Sequence, residues 1–469
     1  MPANYQAFQQ ALNQAVNCMW NQVDWHTPRA VADPIVWEAV QACHALHREF
    51  TPAYRQRCER EGIGAQIEPD QLPLVVFPEE IWKGYSQIPL PGGKKMGVFA
   101  EQDVPRLIEY FNQYLSRPLT MDGLKSSYTH NTSLSGGLDQ LRDDLLKAQD
   151  IQLLTSSGTT GSAISLIPVD PECKNFRDRA NRMAFDLLSD YPGLGPVLPE
   201  RDTLITYAPG EGSMLMIVGM QGYAKLFGPR SHFTIPARVF TREQRWRAGV
   251  FYGPGAPLLK AVFSLLMKVF SKRTAQKGME NTLAALKEAE AAGRRALIFA
   301  NLWMTYKVLL RMDALLEEEV RSGRKQPGEP YVRLAPGSLW VNAGGNKSGL
   351  SVSQKEIADL VCKLVGGVSR VANGYGKAES MCTLIDCAYG NYHLDPHMLF
   401  FKVDGYLGFF DPRETLKVPG QLTGDLVDQL CYEPCPCGLP TGYFSKIERD
   451  NAARGAKGCA AVLAEYAYR

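Results

Sequence analysis

The stretch Ile151-Gln152-Leu153-Leu154-Thr155-Ser156-Ser157-Gly158-Thr159-Thr160-Gly161-Ser162 decides how this chain is read. A strand-like run, Ile151 to Leu154, empties directly into a cluster of glycines and hydroxyl side chains. Such a loop exposes backbone N–H groups and hydroxyls together, the donors that cradle a polyphosphate. On these residues alone an ordinary polar turn stays open. The loop is not a Walker A sequence, which needs Gly-Lys-Ser/Thr after four spacer residues, because no lysine follows Gly161. Gly344-Gly345-Asn346-Lys347-Ser348 fails as well, since Asn346 stands where glycine is required. P-loop kinase or GTPase chemistry is thereby disfavoured.

Outward from the loop, short apolar runs at Ala163 to Val169, Leu204 to Tyr207 and Ala296 to Ala300 alternate with helical patterns, the α/β signature. The expected fold is α/β: a large domain of β-sheets flanked by helices, with its core over 121–398. Residues 1–120 carry amphipathic stretches such as Tyr5 to Val16 and Pro34 to Arg48, with joints such as Pro89 to Lys94, and read as a helical N-terminal flank. Asn281 to Ala296 and Tyr306 to Val320 have helical spacing, and the Pro/Gly-rich residues 325–337 are expected as an internal loop. From Leu399 to Leu430, strand-like runs broken at Gly405, Gly408, Pro412 and Pro419 predict a small C-terminal β subdomain over 399–448, followed by a tail over 449–469.

The 51 basic and 49 acidic side chains of the 469 residues are balanced and mixed, so no polyanion partner is implied and nucleic-acid binding is a poor fit. Met1 to Trp20 lacks the charge-then-apolar order of a secretory signal, and Pro257 to Phe270 is too short for a bilayer span and carries Lys260 and Lys268. The expectation is a cytoplasmic protein without a membrane span. The 11 cysteines show no disulfide-framework spacing, and those between 382 and 437 look more like metal ligands than bridges.

Ser156 to Gly161 resembles the phosphate loop of the adenylate-forming superfamily of acyl/aryl-CoA ligases and luciferases. Three later stretches follow in that family's order. Ala343-Gly344-Gly345 resembles its adenine-site segment, Asn373-Gly374-Tyr375-Gly376-Lys377-Ala378-Glu379 its Tyr-Gly-x-Thr-Glu motif, and Leu422-Thr423-Gly424-Asp425-Leu426 its Thr-Gly-Asp motif. The resemblance implies ATP and Mg²⁺ as cofactors and a carboxylic acid, of the aryl or fatty class, as substrate. The acid's carboxylate is activated as an acyl-adenylate and the acyl group passes to CoA, a carrier-protein thiol, an enzyme cysteine or an amine. It implies that Thr155, Ser156, Ser157, Gly158, Thr159, Thr160 and Gly161 hold the triphosphate, with Gly344, Gly345 and Tyr375 at adenine. Glu379 then holds magnesium, Asp425 accepts from the ribose diol, and Arg449 is a second ribose contact. Thr160 and Glu379 are the catalytic candidates. Two residues depart from the pattern: Ser162 stands where the family has lysine, and Ala378 where it has threonine.

Cys387, His393, Cys435 and Cys437 offer thiolates and an imidazole suited to a closed, tetrahedral structural zinc site, with Cys382, Cys431 and His397 as alternative ligands. The Cys-Pro-Cys-Gly stretch after a Thr-Gly-Asp motif is similar to phenylacetate-CoA ligases, and Gly344 to Lys347 to acyl-protein synthetases. After the hinge-like Lys446 to Asp450, the expectation is a short tail in place of the family's small mobile domain. The acid pocket is expected near His232, Phe233, Trp303, Trp340 to Gly344 and Asn373. A homodimer is an allowed assembly. The competing expectation is a catalytically silent, zinc-containing nucleotide-binding scaffold or sensor.

Overall fold

A computed structural model of the chain describes residues 4–93, 95–96, 103–128, 137–155, 164–189, 194–212, 215–236, 256–343, 352–377, 379–380 and 383–449. The fold is mixed α/β, and the chain divides into two compact units, one of Met1–Met183 with Lys377–Gly455 and one containing Ala184–Gly376.

In the first unit the amphipathic pattern near the start becomes helices Tyr5–Gln22 and Arg29–Phe50, whose apolar faces, including Leu12, Val16, Met19, Val36 and Val40, are buried. Strands Gln152–Thr155 and Leu166–Val169 pair antiparallel, Leu154 opposite Ile167. A five-stranded sheet is centred on Gly420–Val427. On one side of it lie Tyr406–Phe410 and then Leu399–Val403, both antiparallel. The hairpin between those two strands closes over Asp404 and Gly405, both at positive φ (50° and 88°), the primed turn that matches strand twist. Along the other edge of Gly420–Val427 run Phe77–Pro78, parallel, and Ile447–Arg449, antiparallel. The C-terminal strands expected from the sequence therefore form, but their sheet takes a strand from residue 77 and belongs to the same unit as the helical flank.

The second unit holds a parallel sheet in the order Ser231–Ile235, Thr203–Pro209, Ala296–Asn301, Val332–Ala343, Val365–Gly376. Every residue of Thr203–Pro209 and Ala296–Asn301 is buried, as strands covered on both faces must be. Ile205, Ile298 and Trp340 share a core with Leu286, Met304, Val308, Met312, Ile357 and Val361 of the flanking helices Ala256–Ala291, Leu302–Arg321 and Gln354–Leu364. Two expectations are corrected here. The helix read over Asn281 to Ala296 ends at Ala291, because Gly293 turns at φ 60° and Ala296 opens a strand. The loop read over 325–337 ends earlier, since Pro336 and Gly337 lie within strand Val332–Ala343, where the register to its neighbour shifts and Gly337 takes φ 87°. Proline and glycine are tolerated inside a strand at such a bulge. No helix among the described residues is long and apolar enough to cross a membrane.

Candidate nucleotide and metal sites

In the second unit, two of the glycine-bearing motifs leave neighbouring strands at the same end. Val332–Ala343 runs parallel to Val365–Gly376, with Asn342 opposite Asn373 and Ala343 opposite Gly374. In sequence Gly344 and Gly345 follow the first of these strands, and the half-buried Tyr375 lies on the second. The carboxyl ends of parallel strands are where α/β sheets receive ligands. Gly344 and Gly345 themselves lie outside the described residues, as do Ser156, Ser157, Gly158, Thr159, Thr160 and Gly161; Thr155 is the fully buried last residue of its strand. Of the expected acid-pocket residues, Trp340 is a core residue, its indole Nε1 donating to Thr305 Oγ1 at 3.1 Å. Thr305 in turn donates to Asn342 Oδ1 at 2.8 Å.

The first unit gathers three buried carboxylates. Asp425 sits on the central strand of the five-stranded sheet, 2% exposed, its backbone N–H donating to Thr423 Oγ1 at 3.2 Å. The strand pairing places Arg449 directly across from it. Parallel pairing of Phe77 with Gln421 and Pro78 with Leu422 brings the chain alongside the same strand just before Glu79. Lys377 joins the two acids, its Nζ 2.6 Å from Asp425 Oδ2 and 2.5 Å from Glu79 Oε2. Glu379, two residues on and 6% exposed, has its carboxyl held above the usual range by burial first and the negative charge of Glu79 second, with Lys377 and Lys83 opposing. Its carbonyl is fixed by buried Lys417, whose Nζ donates to it at 2.9 Å while pairing with Glu414. The sequence had singled out Glu379 and Asp425, but it gave no role to Lys377 or Glu79.

Cys387, His393, Cys435 and Cys437 converge, with one ligand atom from each lying within 4.8 Å of all the others. Two turns of one design present the thiols. In each, a glycine three residues after the cysteine donates its N–H to the cysteine carbonyl, Gly390 to Cys387 at 2.8 Å and Gly438 to Cys435 at 2.9 Å. In each, the cysteine N–H also donates to the following residue's carbonyl, Asn391 or Leu439. Gly390 and Gly438 stand at φ 76° and 98°, which explains the residue type. His393 comes from the short strand Tyr392–His393, held against Tyr443–Phe444. Its Nε2 faces Cys437 Sγ at 3.2 Å and its Nδ1 bonds Thr441 Oγ1 at 2.8 Å, an arrangement that fixes the ring and leaves Nε2 as the ligand atom. Asn391 Nδ2 donates to Cys435 Sγ at 3.4 Å.

The donor set fits a tetrahedral metal. Cys387 Sγ and Cys435 Sγ are 3.7 Å apart, and the edge of a tetrahedron built on Zn–S bonds is about 3.8 Å. Burial, followed by the crowding of the other thiols, pushes Cys437 up to about 12, so thiolates here call for a cation. Of the alternative ligands, His397 is instead committed to Asp395 and to the Val23 carbonyl, Cys431 lies outside the cluster, and Cys382 is outside the described residues.

No family model matches the chain, and neither does any curated protein. Among solved structures it is similar to a 2-hydroxyisobutyryl-CoA ligase in several states. An open conformation in complex with 2-HIB-AMP and CoA is 12% identical, with a TM-score of 0.48 over 90% of this chain and 75% of that one. The thioesterification state of that ligase, with 2-HIB-AMP and CoA, is 13% identical with a TM-score of 0.47, covering 90% and 69%. The postadenylation state with 2-HIB-AMP is 12% identical with a TM-score of 0.47, covering 90% and 68%.

Proposed function

We propose that this chain is an ATP-dependent acid ligase of the phenylacetate-CoA ligase type, which makes an acyl-adenylate and transfers the acyl group to CoA, a protein thiol or an amine. The observation that carries the reading is the ordered set of four motifs. It is supported by the meeting of Glu379 and Asp425 in one buried cluster of charges and by the exit of two glycine motifs from adjacent parallel strands. In the reaction, a carboxylate oxygen of the acid attacks the α-phosphorus of ATP; the bond from that phosphorus to the bridging oxygen breaks, and pyrophosphate leaves. Catalysis of this step is positioning and charge stabilisation. Asp425 receives the ribose diol, Tyr375 packs on adenine, and the loop from Thr155 to Gly161 donates hydrogen bonds to the phosphates. Glu379, a carboxylate whose pKa is raised by burial first and by the charge of Glu79 second, suits a hard divalent cation, which when bound offsets the charge of the departing pyrophosphate.

The Cys387, His393, Cys435 and Cys437 cluster holds zinc in a structural role, four protein ligands leaving no open position. The decisive experiment is exchange of labelled pyrophosphate into ATP with a panel of aryl and fatty acids. Acid-dependent exchange is expected. A chain that binds nucleotide yet exchanges with none of them is the silent scaffold instead.

A further inference from the structure

We infer that Lys377, clamped between Glu79 and Asp425, is a positioning residue that sets the carboxylate of Asp425 for the nucleotide diol, an inference that rests on the adenylation reading. The residues come from three places in the chain: Glu79 from the helical flank that carries no motif, Lys377 from the unspecified position of the Tyr375-to-Glu379 motif, and Asp425 from the central strand. Glu79 and Asp425 are buried and Lys377 is partly so, with 10% of the lysine side chain, 6% of the Glu79 side chain and 2% of the Asp425 side chain exposed.

A carboxylate that must accept two hydroxyl protons has to present its plane in one orientation. Buried and sharing its ammonium with the acidic Glu79, it is also penalised for its charge. One ammonium at 2.6 Å answers both needs. That ammonium is itself held, since its second partner at 2.5 Å comes from a segment pinned to the same sheet by the Phe77 and Pro78 pairing. Lysine suits the place because it is a point charge with three donors, able to serve two carboxylates at once. Glu79 thus acts on Asp425 through Lys377.

The test is calorimetric binding of adenosine and of AMP to the full chain, with thermal melting and the KM for the acid recorded alongside. Lys377→Met is expected to weaken adenosine and AMP alike by about ten- to a hundredfold while leaving the KM for the acid unchanged. Lys377→Arg should restore most of the loss. Glu79→Gln should weaken adenosine several-fold in the wild-type background and have no further effect beside Lys377→Met, the non-additivity expected of residues acting in series. The Glu79→Gln/Lys377→Met double variant, which removes opposite charges together, gives the readout if Lys377→Met alone does not fold. Adenosine binding unchanged in Lys377→Met overturns the inference. So does a loss confined to AMP, which would make Lys377 a phosphate contact, and so do additive losses that follow the melting temperature. If the unaltered chain binds neither adenosine nor AMP, the adenylation reading itself has failed, and that is visible before any variant is made.

Discussion

Asp425 and Glu379 are buried at 2% and 6% exposure, so their substitution tests chemistry only when stability is followed too. Asp425→Asn keeps the shape and removes the charge; it should raise the KM for ATP by about tenfold or more, the cost of losing charge-assisted hydrogen bonds. Glu379→Gln should lower the exchange rate at saturating ATP and shift the magnesium dependence to higher concentrations; an unaltered magnesium titration would remove Glu379 from the metal site. A third residue makes a claim about pH. The His47 ring is fully buried between Thr51 Oγ1 and the carbonyl of Glu414, and desolvation pushes its pKa down to about 4. The unfolded chain takes up a proton near pH ~6.5 that the folded chain refuses, so stability is lost as pH falls from there through about 4, by up to roughly 3 kcal/mol. His47→Gln should flatten that limb, read as the difference in urea midpoint between neutral pH and about pH 4.5; identical slopes in both proteins would show that His47 is not responsible. The sequence disclosed Glu379 and Asp425 because each sits in a short motif. It could not disclose Lys377 with Glu79, 298 positions apart in the chain, because nothing local links them.

The two cysteine turns are the elements on which the metal proposal stands. Close to one zinc per chain is expected, and Cys435→Ser should lose both the metal and several degrees of melting temperature, because structural metal binding is coupled to folding. Metal-free protein melting at the same temperature as the loaded form would rule out a structural role. Gly390→Ala and Gly438→Ala force a side chain into left-handed backbone and should each cost about 1 kcal/mol while leaving all four ligands in place. The four side chains that cluster were legible because thiols and imidazoles at such spacing are chemically conspicuous. Their supports, Thr441 and Asn391, were not, since a threonine or an asparagine in a loop has many other uses. The same division holds for secondary structure. Buried runs such as Thr203–Pro209 and Ala296–Asn301 declared themselves, whereas strand Val332–Ala343 was hidden by Pro336 and Gly337, and the pairing of Phe77–Pro78 with Gly420–Val427 is set by tertiary contact alone.

At the scale of the whole molecule, alternation of apolar runs and helical patterns was enough to give an α/β chain, but not its division. One unit, Met1–Met183 with Lys377–Gly455, takes residues from both sides of the stretch Ala184–Gly376 that belongs to the other. Within the inserted stretch Val332–Ala343 finds its neighbours Ala296–Asn301 and Val365–Gly376 in the adjacent sequence, while Phe77 must find Gln421. Long-range pairing is slow, so refolding should proceed in two phases. Pulse-labelled hydrogen exchange on the full chain is expected to protect Val332–Ala343 and the locally paired Tyr406–Phe410 before the segment at Phe77 docks on Gly420–Val427; simultaneous protection would refute the order. On the ribosome the same arrangement becomes a matter of waiting. At typical synthesis rates the helical flank, with Trp20 and Trp82 destined for burial, stands without its partner sheet for about ten to forty seconds while the inserted stretch is made. During that interval it is the part of the nascent chain that a chaperone would hold.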